Sequence, residues 1–150
     1  MHEHEERLMK YVDEVINRGD FSRFEDFVGP DIMDHDPNTA LFEDSGIIPG
    51  EDTREKAKRH IMDLRRAFPD LCYTLYDLRL EGDIVHYRWR ASGTHRGDYV
   101  GLAASNRFVS IEGKGSVRID CGQIVETWDE WDAAELVRQL KSRETPDHVI

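Results

Sequence analysis

Cysteine is nearly absent. The chain has two in 150 residues, Cys72 and Cys121, too few and too far apart for a disulfide framework. No apolar run approaches the ~20 residues a membrane-spanning helix needs. The opening MHEHEERLMK carries charges where a secretory leader needs an apolar core. Positive charge is also scarce: 20 Lys and Arg against 31 Asp and Glu leave a net charge of −11 at pH 7. Nucleic-acid phosphates would be repelled, and no basic patch offsets this. Neither a GxSxG elbow nor a GxxxxGK[ST] loop is present, and neither cysteine sits in a motif that marks a nucleophile. These absences point to a soluble, reduced, cytoplasmic protein with no membrane or nucleic-acid partner. With no internal repeat or break in composition, residues 1–150 are expected to form one domain.

What is there is a change of period. Residues 5–18 carry Leu8, Val12, Val15 and Ile16 at helical spacing. Asn17-Arg18-Gly19-Asp20 stops that helix, and Phe21, Phe24, Phe27 and Val28 predict a short second one ended by Gly29-Pro30. Residues 31–50 read as an irregular flap, and a third helix is predicted over 51–68 with Ala57, Ile61, Leu64 and Phe68 on one face. From residue 70 the period is two. YTLYDLRL, IVHYRWRASGTH, RFVSIEGKGSVRID and QIVETWDEWD read as four strands joined by short turns. Asp132 and Glu135 suggest a capping box for a last helix with Ala133, Leu136, Val137 and Leu140 on one side. The tail SRETPDHVI is expected to fray. Helices followed by a long meander is an α+β pattern, a curved and mainly antiparallel sheet wrapped around helices. The resulting cone has an apolar interior suited to a hydrophobic or aromatic small molecule.

Strand parity selects the candidate chemistry. In the second strand Val85, Tyr87, Trp89, Ala91, Gly93 and His95 share one face, with His86, Arg88, Arg90 and Ser92 on the other, toward water or a partner subunit. In the fourth, Asp129 shares a face with Val125, Thr127 and Trp131, while Ile124, Glu126, Trp128 and Glu130 point away. If the Val125 face looks inward, desolvation raises the Asp129 pKa toward the range useful for proton transfer. If it looks outward, Asp129 is an ordinary solvated carboxylate. His95 has two readings as well: a histidine bonded to the backbone at a strand end, or a partner of Asp129 or of a substrate oxygen. Glycines 93, 97 and 101 allow the backbone to bend and approach a ligand closely. Asp34, His35 and Asp36 in DHDP lack further ligands at metal-site spacing. No metal is therefore expected, and His35 is a candidate for the pocket rim. His60 reads as a packed histidine at the edge of the third helix's stripe. The outward Ile124 and Trp128 row suggests a homodimer or higher homo-oligomer.

The strings FVGPDIMDHDP, AFPDL, EGDIVHYRWRASGTHRGDYVG and GQIVETWDEWD together resemble the SnoaL-like polyketide (ester) cyclases of the nuclear transport factor 2-like superfamily. The likeness covers roughly residues 5–140. It implies a cone-shaped, cystatin-like α+β barrel, usually dimeric or higher, acting without metal or organic cofactor. It also implies an intramolecular aldol closure in which a last-strand aspartate is the general acid and base. By distance from Gly122 that aspartate corresponds to Asp129. By the same likeness His95 corresponds to a pocket residue of similar proteins, and His35 falls in the segment that lines the pocket mouth. Asp129 and His95 are therefore the expected catalytic pair, with His35, Tyr87, Trp89, Tyr99 and Trp131 expected to bind substrate. The chain departs from the family pattern at Ala103-Ala104-Ser105-Asn106, where a Pro-Pro-Thr-Gly turn is common. It departs again at Gly115, where some cyclases carry a histidine. The superfamily hosts several reactions. A lyase or isomerase of this cyclase kind is therefore the leading expectation. A dehydratase, isomerase or hydrolase using the same His/Asp pair, or a ligand-binding dimer without catalysis, are the alternatives.

Overall fold

The computed structural model describes residues 2–38 and 49–141. Helix α1 (Glu3–Tyr11) opens on a capping box in which the His2 ring accepts the His4 N–H and Glu5 accepts the His2 N–H. It runs on through π-helical turns to Asn17 and buries Leu8, Val12 and Val15. The end of this segment is satisfied from a distance: the Arg65 guanidinium donates to the Ile16 and Asn17 carbonyls at 2.8 Å each. A short α2 (Phe24–Phe27) drives both phenylalanines into the core.

The next element corrects the sequence reading. Val28–Asp34 is a strand, β1, rather than the end of a helix and the start of a flap. Gly29-Pro30 does end the helix, but the chain then adds in parallel to the exposed edge of the last strand. Proline is tolerated there because an edge strand can spare an N–H, and the ladder skips from Val28 to Met33. The rest of the expected flap, 39–48, lies outside the described residues, as does the tail from 142.

Helix α3 (Thr53–Ala67) is capped by Asp52, whose side chain accepts the Glu55 N–H at 2.7 Å. Strands β2 (Cys72–Glu81), β3 (Ile84–Thr94), β4 (Phe108–Asp120) and β5 (Gln123–Trp131) form the expected meander, and α4 (Ala133–Lys141) follows. At its start Asp132 accepts the Glu135 N–H at 3.2 Å, the forward half of the expected box. The sheet is five-stranded, curved, and ordered β1-β5-β4-β3-β2. At its β2 edge the Asn17 amide donates to the Tyr73 carbonyl and accepts its N–H, taking the place of a sixth strand. No helix among the described residues is long and apolar enough to cross a membrane.

Two apolar clusters hold the layers together. Leu8, Val12, Val15, Phe24 and Phe27 pack on Val85, Trp89, Val117 and Ile119. At the other end Ala67, Phe68 and Leu71 meet Tyr99, Val109, Leu136 and Leu140. The convex side of the sheet carries polar cross-strand pairs instead, among them Arg90 with Glu112 at 2.8 Å and His86 with Ser116 at 2.7 Å.

A bulge in β5 overturns one parity expectation. Arg118 pairs with Glu126, yet Ile119 pairs with Ile124, so β5 holds one extra residue at this point. The extra residue flips the alternation. Ile124 turns inward and is 3% exposed, while Val125 faces Gly29 of β1. Beyond the bulge Thr127, Asp129 and Trp131 face the interior, the inward one of the two readings that parity left open. The outward row proposed as a dimer surface therefore loses Ile124, and only Trp128 remains of its two apolar members.

Candidate active site

Between the two clusters lies a cavity of about 540 Å³. The apolar face of α3 (Ala57, Ile61, Leu64 and, just beyond, Phe68) forms one wall, and the concave side of β2–β5 forms the other. On the sheet side the wall is aromatic. Tyr73 stacks on Trp89 with centroids 5.1 Å apart, and Trp131 meets the same indole edge-on at 6.2 Å. Tyr87 of β3 adds to it, and Tyr11 of α1 and Tyr99 from the segment between β3 and β4 also line the cavity.

Glycines make this wall possible. Gly113 and Gly115 stand in β4 opposite Trp89 and Tyr87 of β3 and opposite Trp131 and Asp129 of β5. A Cβ on Gly113 would lie 2.5 Å from the Trp89 ring. A Cβ on Gly115 would lie 2.5 Å from the Tyr87 hydroxyl oxygen and 2.7 Å from Asp129 Oδ1. The two rings thus lie flat across β4 because β4 has no side chain at those positions.

Asp129 is the carboxyl group on this wall. Burial, reinforced by the charges of Asp36 and Asp34, raises its pKa to about 8. The Trp89 indole N–H lies near enough to pull it down slightly, but falls short of hydrogen-bond geometry. Both Trp89 Nε1 and Asp129 Oδ1 are enclosed without a hydrogen-bond partner among the described residues. At neutral pH the group is mostly protonated, and it can both give and take a proton close to physiological pH. Its charge in turn is felt by the surrounding phenols: burial first, then Asp129, holds Tyr73 and Tyr87 well above the ordinary tyrosine value. Both phenols remain hydrogen-bond donors.

The structure does not bring His95 to this carboxyl. Asp129 lies in the row Tyr87–Gly115–Asp129, whereas His95 follows the end of β3, eight residues further along. At about 3.3 Å per residue that is on the order of 25 Å of strand. His95 is fully buried outside the cavity lining, stacked on Phe68 at 5.5 Å. Its Nδ1 accepts the Ser105 N–H at 3.3 Å and lies 3.0 Å from the Ser105 hydroxyl. That places the ring proton on Nε2, which has no partner among the described residues, and burial lowers the ring's pKa. The whole GTHRG stretch is a clamp on the end of α3. Thr94 binds Asp70 through its N–H and its hydroxyl at 2.7 Å each. The N–H groups of Arg96 and Gly97 cap the Ala67 carbonyl, and a Cβ on Gly97 would lie 2.7 Å from the Arg66 carbonyl oxygen. The glycine is there for helix packing rather than for a ligand.

His35 is also displaced from its expected place. Because β1 is a strand, DHDP alternates: Asp34 and Asp36 face the cavity and His35 faces away. On the convex side His35 stacks on Trp128 at 5.3 Å and meets Glu126 at 2.6 Å. Arg118 binds the same Glu126 at 3.1 Å, and these two partners, His35 first, hold the Glu126 carboxyl below its usual range. Asp36 instead accepts the Trp131 indole N–H at 2.9 Å and fixes that ring in the wall. Tyr87, Trp89, Tyr99 and Trp131 all line the cavity. Sequence reasoning weighed Asp34 and Asp36 only as metal ligands, missed Tyr73, and placed His60 in the packing although it lines the cavity. Recognising β1 would have found both aspartates through its period of two.

Residues 6–140 match the family model of the SnoaL-like polyketide cyclases. Among solved structures, IdmH from Streptomyces antibioticus, a proposed polyketide cyclase, is 27% identical, with 94% of this chain and 100% of that chain covered and a TM-score of 0.76. TsrD from Streptomyces laurentii is also 27% identical, covering 94% of this chain and 97% of that one with a TM-score of 0.77. AclR from Streptomyces galilaeus, a proposed hydroxylase, shares the fold at 23% identity and a TM-score of 0.75, over 97% of this chain and 85% of its own. No curated protein matches this chain.

Proposed function

The chain belongs to the SnoaL-like polyketide cyclase family, and from that premise we propose that it closes a ring in a small, conjugated carbonyl compound by intramolecular aldol condensation. The observation that carries this reading is the Asp129 carboxyl, with a pKa raised by burial to about 8, on the aromatic wall of a cavity of about 540 Å³. Such a volume suits a compound of two to four fused rings or its open precursor.

In this mechanism Asp129 works without His95. Its ionised form takes a proton from a carbon between two carbonyls, and the C–H electron pair passes onto the carbonyl oxygen as an enolate. The enolate carbon attacks an acceptor carbonyl in the same molecule. The alkoxide that forms takes the proton back from the Asp129 carboxylic acid. Atoms balance with no oxidant and no second substrate, and the carboxylate is regenerated. General acid–base help of about 10²–10⁴-fold suffices where flanking carbonyls already acidify the C–H bond. Tyr73, Trp89 and Trp131 keep the polyketone flat and exclude water that would otherwise capture the acceptor carbonyl.

The test is turnover of linear or partly cyclised aromatic polyketide esters, followed by the change in ultraviolet absorption on ring closure. Asp129→Asn is expected to bind these compounds and not convert them. Conversion at the native rate would remove Asp129 from the chemistry. Binding by the native protein with no spectral change would leave a ligand carrier.

A further inference from the structure

We infer that Tyr87 is a second catalytic residue, whose hydroxyl, seated over Gly115 beside the Asp129 carboxyl, donates a hydrogen bond to the enolate oxygen. This rests on the acid–base reading above and adds to it the group that bears the developing negative charge. In the sequence Tyr87 stands only as part of the aromatic wall.

Three observations carry the assignment. The first is register: Tyr87, Gly115 and Asp129 are directly opposite one another on three adjacent strands. The second is proximity, since the Tyr87 oxygen and Asp129 Oδ1 lie 2.5 and 2.7 Å from the same point, the vacant Cβ position of Gly115. Any other residue at 115 would push one of them away. The third is availability. Both residues line the cavity, and no hydrogen bond from a described residue engages the Tyr87 hydroxyl. A cavity-facing phenol with no acceptor among the described residues is poised to donate to whatever oxygen enters. Its neighbours from the packed elements are Tyr11 on α1, Asp34 on β1 and Asp129 on β5. All keep the phenol protonated, so the donor persists while the carboxyl next to it changes state.

The geometry assigns a division of labour. Asp129 moves the proton between carbon and oxygen; Tyr87 transfers nothing and stabilises the enolate oxygen while Asp129 is occupied. A preformed donor aimed at a developing oxyanion in a dry site is typically worth about 10²–10³-fold in rate. Tyr87→Phe should therefore lower kcat by about that factor and leave KM nearly unchanged, because the ring that shapes the wall is retained.

A binding experiment tests this without turnover. Asp129→Asn supplies a neutral host that resembles the protonated carboxyl. The probes are 4-nitro-1-naphtholate, which is coloured and ionised at neutral pH, and 1-nitronaphthalene, which has the same bicyclic body without the oxygen. Replacing Tyr87 by Phe in that host should weaken naphtholate binding at least about tenfold, one good hydrogen bond to a charged acceptor. Binding of 1-nitronaphthalene should not change. Equal losses for both probes, no loss for either, or failure of both to bind would overturn the assignment. The cyclase reading is judged separately by Asp129→Asn turnover, so either idea can fail alone: naphtholate discrimination with native turnover in Asp129→Asn would leave an oxyanion site and no Asp129 chemistry.

Discussion

Ser105 holds His95 in place: its backbone N–H and its hydroxyl both meet Nδ1, at 3.3 and 3.0 Å. A ring engaged in this way, stacked on Phe68 and closed off from the cavity, is a structural pin. His95→Phe keeps the stacking and strands the Ser105 N–H. It should lower stability by about 1–2 kcal/mol, the cost of an orphaned buried donor, and leave kcat unchanged. Chemical denaturation and turnover measured on one preparation would check both. A kcat loss like that of Asp129→Asn would return His95 to the mechanism.

The pH dependence of catalysis follows from Asp129. The base is the ionised form, and the group titrates at about 8. The logarithm of kcat/KM should rise with unit slope below that value and level off above it. A profile that falls through the same region would mean that the acid form begins the reaction.

The same shift has a stability consequence with a definite sign. The folded pKa of about 8 lies above the ordinary value of 3.8, so between the two the folded chain holds a proton that the unfolded chain has released. Stability attributable to this group falls as pH rises across that window, with a slope of at most about 1.4 kcal/mol per pH unit, and is level above it. Asp129→Asn has no such proton. Its melting temperature should gain on the native protein from pH 4 toward pH 8, and parallel curves for the two proteins would show that Asp129 is solvated.

Gly113 and Gly115 should respond differently to alanine. At 113 the new methyl meets the Trp89 ring at 2.5 Å and the Glu130 carbonyl oxygen at 2.7 Å, neither of which can move cheaply. Gly113→Ala should cost stability, about 1–3 kcal/mol for an overpacked core site. At 115 the atoms nearest the methyl are the ends of two side chains, Tyr87 and Asp129. Gly115→Ala should cost less stability and more kcat. A thermal melt beside a rate measurement separates the two outcomes.

Much of this was legible in the sequence because it is periodic. The helical stripe Ala57, Ile61, Leu64 and Phe68 and the alternation through Val85, Tyr87 and Trp89 depend on local repeat lengths of 3.6 and 2, and both appear in the structure on the inner side, Val85 in the core and the others along the cavity. The inward turn of Asp129 was one of two readings that parity left open. What one chain read end to end does not carry is pairing across space. That β1 adds in parallel to β5, that a bulge at Val125 turns Ile124 inward, and that His95 belongs to Ser105 are all decided between segments far apart in the chain. A strand's alternation says which residues share a face, but only the neighbouring strand's register says what they meet there. For Asp129 that neighbour is a glycine, and beyond it a tyrosine.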